Sequence, residues 1–278
     1  MRIVLLLPAQ SLYANLIAKE LIREFGQSIV MIVDSGVLIP GYNLWGSLGR
    51  YLKVSGFNYL FCQAAEEYLF KTFKFVLHGL FRSRKEESLY YSFKNTAKKL
   101  RIPIIYTDEI NSRESLEQIR QTNPDLVISI YFRQILRKNM LSLPRLGTIN
   151  IHPALLPDYR GVSPVFWALA NAEKEAGVTV HFLDEGVDRG AIISQARISI
   201  LPDDTEHSLF LKATLCGIPL LKEAVRLIQE NRNGFPVQPA QAGRYFSIPT
   251  AEAVRRFSKN GRRFFRLADF FKASVGEV

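Results

Sequence analysis

The feature that most constrains the fold is an opening alternation of apolar runs with one helical repeat. Residues 3–7 are continuously apolar, as expected for a strand buried on both faces of a parallel sheet. Residues 12–25 then place apolar side chains at helical spacing, Gly26 closes that segment, and residues 29–33 form a second apolar run. A strand, a helix and a strand in this order imply a right-handed crossover. The chain is therefore predicted to be an α/β protein with a doubly wound, mostly parallel sheet.

The alternation returns further along the chain and is interrupted at two places. Strands are predicted at 102–106, 125–130, 148–151, 178–183 and 192–200, and helices at 115–121, 134–140, 164–171 and 205–232. Asp204 or Thr205 is the candidate N-cap of the last helix. The interruptions are a helical insertion at about 36–100 and a basic, aromatic tail after residue 235, which is predicted to be helical. We expect a main domain over 1–204 and a C-terminal helical extension over 205–278, not a full β-barrel domain.

The insertion carries a wide apolar helical stripe from Leu60 to Leu80. Cations flank this stripe at Lys71, Lys74, Arg82, Arg84 and Lys85. Three interpretations stay open: docking on the main domain, pairing with a second subunit as a homodimer, or contact of segment 57–85 with an anionic membrane.

The formal net charge of +10 allows several partners and selects none of them. Nucleic acid, an anionic membrane surface and a phosphorylated substrate all fit a basic chain. Two cysteines, Cys62 and Cys216, do not make a disulfide framework. The apolar start is too short for a signal peptide, and no apolar stretch reaches the roughly 18 residues that span a bilayer. We expect a cytoplasmic protein, with peripheral membrane contact as the alternative.

An amide, an imidazole and a carboxylate stand at two predicted strand ends. Asn150 and His152 are two residues apart, so on a strand their side chains share one face. Together they can donate to one developing oxyanion, and Asp188 can receive a proton or hold the imidazole charged. No serine or cysteine lies in a recognisable nucleophile elbow. The three residues suit attack of a neutral nucleophile on a carbonyl, although an isolated Asn-x-His more often makes a turn and a strand cap.

The sequence segments around these residues resemble those of the 10-formyltetrahydrofolate-dependent formyltransferases. The matching segments are Asn-Ile-His-Pro-Ala-Leu-Leu-Pro-Asp-Tyr-Arg-Gly at 150–161, Gly-Val-Thr-Val-His at 177–181 and Gly-Val-Asp-Arg-Gly at 186–190. The family includes the methionyl-tRNA, amino-sugar and glycinamide ribonucleotide enzymes, and the resemblance runs from about 124 to about 202. It implies a Rossmann-like catalytic domain over 1–204, one-carbon transfer from 10-formyltetrahydrofolate as co-substrate, and no metal.

The resemblance also implies roles for individual residues. Asn150 and His152 would stabilise a tetrahedral oxyanion. Asp188 would position a water or relay the proton that leaves the amine, and would tune His152. Asp184 would shape its loop. His181, on a strand among apolar neighbours, is interpreted as a structural histidine, and His78 and His207 as surface or helix-cap residues. No His, Cys or acidic cluster has the spacing of a metal site.

A folate pocket is implied between two loops. The loop after the fourth predicted strand would contribute Arg133, Gln134, Ile135 and Leu136, of which Ile135 and Leu136 would be apolar walls. The loop that carries Asp188 would contribute Leu183, Asp184, Glu185 and Val187, largely through backbone groups.

The acceptor amine is constrained less than the donor. Residues 8–13 contain no glycine, whereas the glycinamide ribonucleotide enzyme has a glycine-rich phosphate loop there. The segment after the long helix is too short for the β-barrel of the methionyl-tRNA enzyme. The loop 159–167 looks most like the amino-sugar enzymes and is compatible with the tRNA enzymes. We predict a primary amine on an amino sugar; a methionyl-tRNA formyltransferase-like enzyme, a formyltetrahydrofolate hydrolase and a catalytically silent folate-binding module remain alternatives.

Overall fold

A seven-stranded mixed sheet forms the centre of the computed structural model, which describes residues 1–8, 10–39, 41–80, 92–231, 234–238 and 243–269. The strands in chain order are β1 (Ile3–Leu7), β2 (Ile29–Asp34), β3 (Ile104–Tyr106), β4 (Leu126–Ile130), β5 (Thr148–His152), β6 (Arg160–Gly161), β7 (Glu175–Phe182), β8 (Ile192–Ser199) and β9 (Tyr245–Phe246). The sheet order is β3-β2-β1-β4-β5-β7-β8, and β6 pairs with β9. Strands β3, β2, β1, β4 and β5 run parallel to one another, and β7 runs antiparallel to its two neighbours, β5 and β8. This confirms the predicted mostly parallel sheet.

Helices cover both faces of this sheet. They are α1 (Leu12–Phe25), α2 (Leu44–Ser55), α3 (Phe57–Leu80), α4 (Phe93–Lys99), α5 (Arg113–Gln121), α6 (Lys138–Leu141), α7 (Pro164–Ala170), α8 (Glu206–Gln229) and α9 (Ala251–Lys259). Side chains of β1 alternate between two cores: Ile3, Leu5 and Leu7 face α1, α4 and α8, whereas Val4 and Leu6 face α5 and α6. The apolar run in the sequence is therefore a strand buried on both faces. Among the described residues, no helix is long and apolar enough to cross a membrane.

One predicted helix is largely wrong. The segment 134–140 is irregular as far as Arg137, and α6 begins at Lys138. A side chain from another loop explains this difference: Asn111 donates to the Ile135 carbonyl at 2.9 Å and accepts a hydrogen bond from the Arg137 amide at 2.8 Å. These bonds offer the backbone partners that a helix would otherwise provide.

The C-terminal extension is not helical throughout. Strand β9 pairs with β6, where the Arg160 amide donates to the Arg244 carbonyl at 3.0 Å. Helix α8 is capped by Thr205, the second of the two predicted candidates. Leu221 and Val225 of α8 are fully buried on the same sheet as β1. Helix α8 therefore packs on the main sheet. The predicted domain boundary between residues 204 and 205 stays a prediction.

The insertion docks on the main domain through the start of α3. Tyr59 is buried, with its ring centroid 5.9 Å from that of Phe166 and 5.6 Å from that of Phe264. Homodimer formation remains a prediction. Other positions named above lie outside the described residues, namely Ala9, Arg82, Arg84 and Lys85 and the side chains of Lys71, Lys74 and His78.

A largely buried polar cluster ties α3 to α1 and α8, and we call it the latch. Tyr13 Oη and His207 Nδ1 both donate to Glu66 Oε1, at 2.9 and 2.8 Å. Gln63 Nε2 donates to Glu206 Oε2 at 3.3 Å. Burial, and then the neighbouring Glu66, raise the pKa of Glu206 to about 8. His207 is 1% exposed, so its interpretation as a surface or cap residue is wrong: the insertion covers it.

Candidate active site

Strand β5 holds Asn150 and His152 on one face, as their spacing predicted. Both side chains are buried. The antiparallel pairing of β5 with β7 places Asn150 opposite His181 and His152 opposite Thr179. Because directly paired residues have side chains about 5 Å apart, β7 supplies the neighbours of both groups.

Both ring nitrogens of His152 face acceptors. Its Nε2 lies 2.8 Å from the Tyr159 carbonyl oxygen. Since a carbonyl can only accept, Nε2 carries a proton. Its Nδ1 lies 3.7 Å from Asp188 Oδ2, so the carboxylate can take a proton from that nitrogen or hold one there. The ring is thus fixed between a backbone acceptor and an acid.

Asp188 lies in the loop between β7 and β8 and reaches back to β5. Its Oδ2 accepts a hydrogen bond from the Gly161 amide at 2.8 Å. Its own carbonyl and that of Gly190 accept from Gln238 Nε2, at 3.2 and 2.8 Å. A Cβ at Gly190 would lie 1.9 Å from the Phe182 carbonyl oxygen, so this tight loop requires glycine there. The structure therefore brings the three predicted residues together.

His181 is part of this site, although the sequence suggested a structural role for it. Its Nδ1 donates to the Phe182 carbonyl at 2.7 Å, and its Nε2 lies 3.2 Å from Asn150 Nδ2 and 3.6 Å from Asp188 Oδ1. Burial lowers the pKa of His181 to about 4, against the opposing effect of Asp188. The neutral ring with Nδ1 protonated leaves Nε2 to accept from the Asn150 amide. This bond holds the Asn150 NH₂ group in place and uses one of its two N–H bonds.

Thr179 organises the loop that follows His152. Its hydroxyl donates to the Ala154 carbonyl at 2.6 Å and accepts from the Leu156 amide at 3.2 Å. Gln195 Nε2 donates to the Leu156 carbonyl at 2.7 Å. Neither Gln238, Thr179 nor Gln195 was singled out from the sequence, because each acts across a long chain separation. The sequence feature that indicated β7 was the family-like segment 177–181, which contains both Thr179 and His181.

The two loops of the predicted folate pocket share an apolar cluster. Buried Leu136 and half-buried Leu183 belong to it, one from each loop. Ile135 and Val187 are exposed apolar side chains on the same two loops. Ile135 and Val187 therefore carry the exposed apolar surface of these loops, whereas Leu136 packs in the core.

The polar members of the predicted pocket are arranged differently from one another. Arg133, Asp184 and Glu185 are exposed. Asp184 Oδ1 accepts from the Gly186 amide at 2.8 Å and so closes the turn of its loop. Gln134 points inward, where its Nε2 donates to Ser35 Oγ at 2.8 Å. Its side chain supports the loop, which leaves backbone groups to face a ligand.

No group of three or more His, Cys, Asp or Glu side chains within the described ranges could hold a metal ion.

Comparison with known proteins agrees with this geometry. The formyl transferase family model matches residues 80–221, slightly more than half of the chain, and this range contains all four site residues. The bifunctional polymyxin resistance protein ArnA of Wigglesworthia glossinidia brevipalpis is 37% identical over 147 residues, which are 53% of this chain and 22% of that protein. The methionyl-tRNA formyltransferase of Lysinibacillus sphaericus is 42% identical over 145 residues, 52% of this chain and 46% of that enzyme. The match thus spans half or less of these relatives.

Solved structures share the fold. Phosphoribosylglycinamide formyltransferase from Anaplasma phagocytophilum superposes with a TM-score of 0.57 at 19% identity, over 88% of this chain and 98% of that one. The N-formyltransferase from Helicobacter canadensis, solved in complex with folinic acid and dTDP-3-aminofucose, superposes with a TM-score of 0.55 at 19% identity, over 89% and 71%. Together with the family match, the predicted Rossmann-like fold is confirmed, and the chain belongs to the formyl transferase family.

Proposed function

We propose that this protein transfers the formyl group of 10-formyltetrahydrofolate to a primary amine carried on a sugar. The observation that carries the proposal is the meeting of Asn150, His152 and Asp188 at the ends of β5 and β7, with Asp188 3.7 Å from His152. The family match supports the donor and the reaction type.

The reaction follows from the positions of the donors and the acid. The amine nitrogen attacks the formyl carbon, and the carbonyl oxygen takes the negative charge of the tetrahedral intermediate. The Asn150 amide donates to that oxygen through the N–H that His181 does not accept. A proton held on His152 Nδ1 by Asp188 makes the ring a cation that stabilises the same charge, while Nε2 keeps its bond to Tyr159.

Asp188 then completes the proton balance. It takes a proton from the attacking nitrogen, directly or through a water, as the new carbon–nitrogen bond forms. The bond between the formyl carbon and folate N10 breaks as N10 receives the proton that Asp188 took, directly or through a water, which returns Asp188 to its carboxylate form. The products are the formamide and tetrahydrofolate.

The two predicted loops would hold the pterin of the donor. Exposed Ile135 and Val187 would supply apolar contact, Leu136 and Leu183 would support them from the core, and the exposed residues Asp184 and Glu185 would supply polar groups. Such a mixture suits a flat heterocycle with hydrogen-bonding edges.

The amino-sugar acceptor is supported by the loop 159–167 and by the Helicobacter canadensis fold neighbour, which was solved with an amino-sugar nucleotide. A tRNA acceptor is the second candidate, because curated relatives at 33–42% identity are methionyl-tRNA formyltransferases. The two free cysteines, Cys62 and Cys216, fit a reducing compartment such as the cytoplasm.

The test is release of tetrahydrofolate from 10-formyltetrahydrofolate by the purified full chain. We expect release that depends on an amino-sugar nucleotide from a panel of such acceptors, with the formamide found by mass spectrometry. Release that depends on methionyl-tRNA would show that the acceptor is a tRNA and not an amino sugar. Release without any acceptor would indicate hydrolysis, and folate binding without release in either arm would indicate a silent binding module.

A further inference from the structure

The loop after β4 leaves the sheet beside the candidate active site. Ile130, the last residue of β4, pairs with Ile151 of β5, so this loop follows the edge of the sheet that carries the catalytic amide and imidazole. The chain runs from β1 outward to β2 and β3, but from β4 in the other direction to β5, which makes the gap between β1 and β4 a topological switch point. Open α/β sheets bind their ligands in the crevice at such a point. Arg133, three residues after Ile130, lies at this edge.

The charge of Arg133 reaches the helical insertion. Tyr51 of α2 and Tyr59 of α3 are stacked, with ring centroids 6.1 Å apart. Burial raises the pKa of the Tyr51 hydroxyl, and the Arg133 guanidinium opposes that rise. Burial also raises the pKa of Tyr59, again with Arg133 among the opposing groups. Because charges farther apart than about 10 Å are largely screened, the guanidinium lies close to both tyrosines and extends towards the insertion.

Two hydrogen-bond donors at this place are available to a ligand. The Arg133 side chain is exposed and forms neither an ion pair nor a hydrogen bond with any residue that the structure describes. The hydroxyl of half-buried Tyr51 likewise forms no hydrogen bond within the described ranges. Tyr59 differs, because its hydroxyl has Ser163 as a hydrogen-bond partner. A guanidinium and a neighbouring phenol without acceptors can both donate to one anion.

The carboxyl group that acts on Tyr59 does not cancel this positive charge. Glu206 is the acid whose charge raises the pKa of the Tyr59 hydroxyl. Burial, and then the neighbouring Glu66, raise the pKa of Glu206 itself to about 8. Most of this carboxyl is therefore protonated at pH 7, and it leaves the charge of Arg133 to a ligand.

The position of the insertion relates this charge to the acceptor and not to the folate donor. The family model matches residues 80–221, so α2 and nearly all of α3 lie outside the matched range. A donor that is common to the family is expected to bind within the shared range. A wall that the insertion supplies, such as Tyr51, suits the acceptor of this particular chain.

A single guanidinium also indicates a compact anion. Arg133 is the charged group that acts on the Tyr51 hydroxyl. A polyanion such as tRNA is held by several cations that follow its backbone. A diphosphate instead presents adjacent oxygens that fit the planar fork of one arginine.

We propose that Arg133 and the Tyr51 hydroxyl bind the diphosphate of an amino-sugar nucleotide, an inference that rests on the acceptor class of the proposed function. Arg133 supplies the positive charge and a bidentate pair of donors, and Tyr51 supplies a third donor. The insertion thereby takes part in acceptor recognition, and Arg133 is a specificity-determining residue for the reaction.

Isothermal titration calorimetry of the full chain with nucleoside diphosphates tests this site without turnover. We expect at least one of dTDP, UDP and GDP to bind. Arg133→Ala should weaken that binding by about 10–100-fold, because charge-assisted hydrogen bonds are lost. Arg133→Lys should lose less, since it keeps the charge without the planar fork. Tyr51→Phe removes one neutral donor and should weaken binding by about 2–10-fold.

Arg120→Ala is the matched control. It removes the same charge from an exposed position in the last turn of α5, which leads to the start of β4 at the opposite edge of the sheet. The exposed ion pair of Arg120 with Glu117 contributes little to stability, so this variant should bind the nucleotide as the wild type does. Affinity for tetrahydrofolate should be unchanged in all four variants, and far-UV circular dichroism should show each of them folded.

Several outcomes would overturn the proposal. The wild type could bind none of the three nucleotides, or Arg133→Ala and Arg120→Ala could lose affinity equally. Loss of tetrahydrofolate affinity in Arg133→Ala would assign this side chain to the donor. Loss of methionyl-tRNA affinity in that variant, with unchanged nucleotide affinity, would assign it to a tRNA.

Turnover separates this proposal from the proposed function. Nucleotide binding that depends on Arg133, without formyl transfer to any amino-sugar nucleotide, would support the site and contradict the reaction. Formyl transfer to an amino-sugar nucleotide with an unchanged acceptor KM in Arg133→Ala would support the reaction and overturn the site.

Discussion

The site around His181 buries a basic group, whereas the latch around Glu206 buries an acidic one. Burial lowers the pKa of the His181 imidazole to about 4 and raises the pKa of the Glu206 carboxyl to about 8. Both environments favour the neutral form of the group. Low pH therefore destabilises the fold at His181, because it drives protonation of the ring, and high pH destabilises it at Glu206, because it drives ionisation of the carboxyl. The comparison teaches that one physical cause, loss of solvation, gives two regions of one protein opposite pH responses.

The two regions also differ in what holds them together. Asn150 and His181 are fixed by the register of two paired strands. The latch has no such register, because Tyr13, Glu66 and Glu206 come from three different helices and meet through side chains. We therefore expect substitutions in the site to change chemistry, and substitutions in the latch to change the hold on the insertion.

The largest expected effect is that of Asp188→Asn on turnover. The amide keeps an oxygen for the Gly161 N–H but cannot accept a proton at neutral pH, so kcat for formyl transfer should fall by about 10²–10⁴-fold. Steady-state release of tetrahydrofolate measures it, with circular dichroism to confirm folding. Asp203→Asn, which makes the same chemical change at an exposed position before α8, is the matched control and should stay close to wild type. Near-normal turnover by Asp188→Asn would remove its proposed role.

Asn150→Ala should follow in size. Loss of the donor to the oxyanion should lower kcat by about 10²–10³-fold with a smaller change in KM, because the bond strengthens as charge develops. The same assay, run over a range of acceptor concentrations, separates the two constants. A variant that changed KM alone would show that Asn150 binds substrate without stabilising the intermediate.

The third prediction concerns the pH dependence of folding through His181. Its folded pKa of about 4 lies below the ordinary value of 6.5 for a histidine, so its contribution to stability is complete above pH 6.5 and is lost as pH falls towards 4. The free energy of unfolding should drop by about 3 kcal/mol over that window on this account. In His181→Gln, urea unfolding at pH 7 and pH 4 should show a loss smaller by that amount. Parallel pH profiles of the two proteins would contradict the neutral, buried state of His181.

Glu206→Gln tests the latch, with the smallest effect and the opposite sign. Because the folded pKa of Glu206 is raised from 4.5 to about 8, stability is fully present below pH 4.5 and is lost as pH rises towards 8. The half-buried position reduces the effect, so the variant should gain about 1–2 kcal/mol over wild type between pH 5 and pH 8. Chemical unfolding at both pH values measures this, with Glu223→Gln on the exposed face of α8 as control. An equal difference at both pH values would contradict the raised pKa.

Local sequence patterns were sufficient for most of the sheet. The apolar run of β1, the helical spacing of α1 and the run of β2 each form their element with little influence from distant residues, and their bounds agree with expectation within a residue or so. The segment 134–140 was mispredicted because Asn111 and Gln134 bind backbone and side-chain groups more than twenty residues away. Interactions of that range leave no periodic signal.

By itself, the sequence determined the parallel sheet and the placement of Asn150 and His152 on one face, because strand periodicity is a local property. Only the tertiary structure decided that His181 orients the Asn150 amide and that Glu206 and His207 lie beneath the insertion. Each of these depends on residues far apart in the chain, whose solvation and hydrogen bonding change only when the fold brings them together.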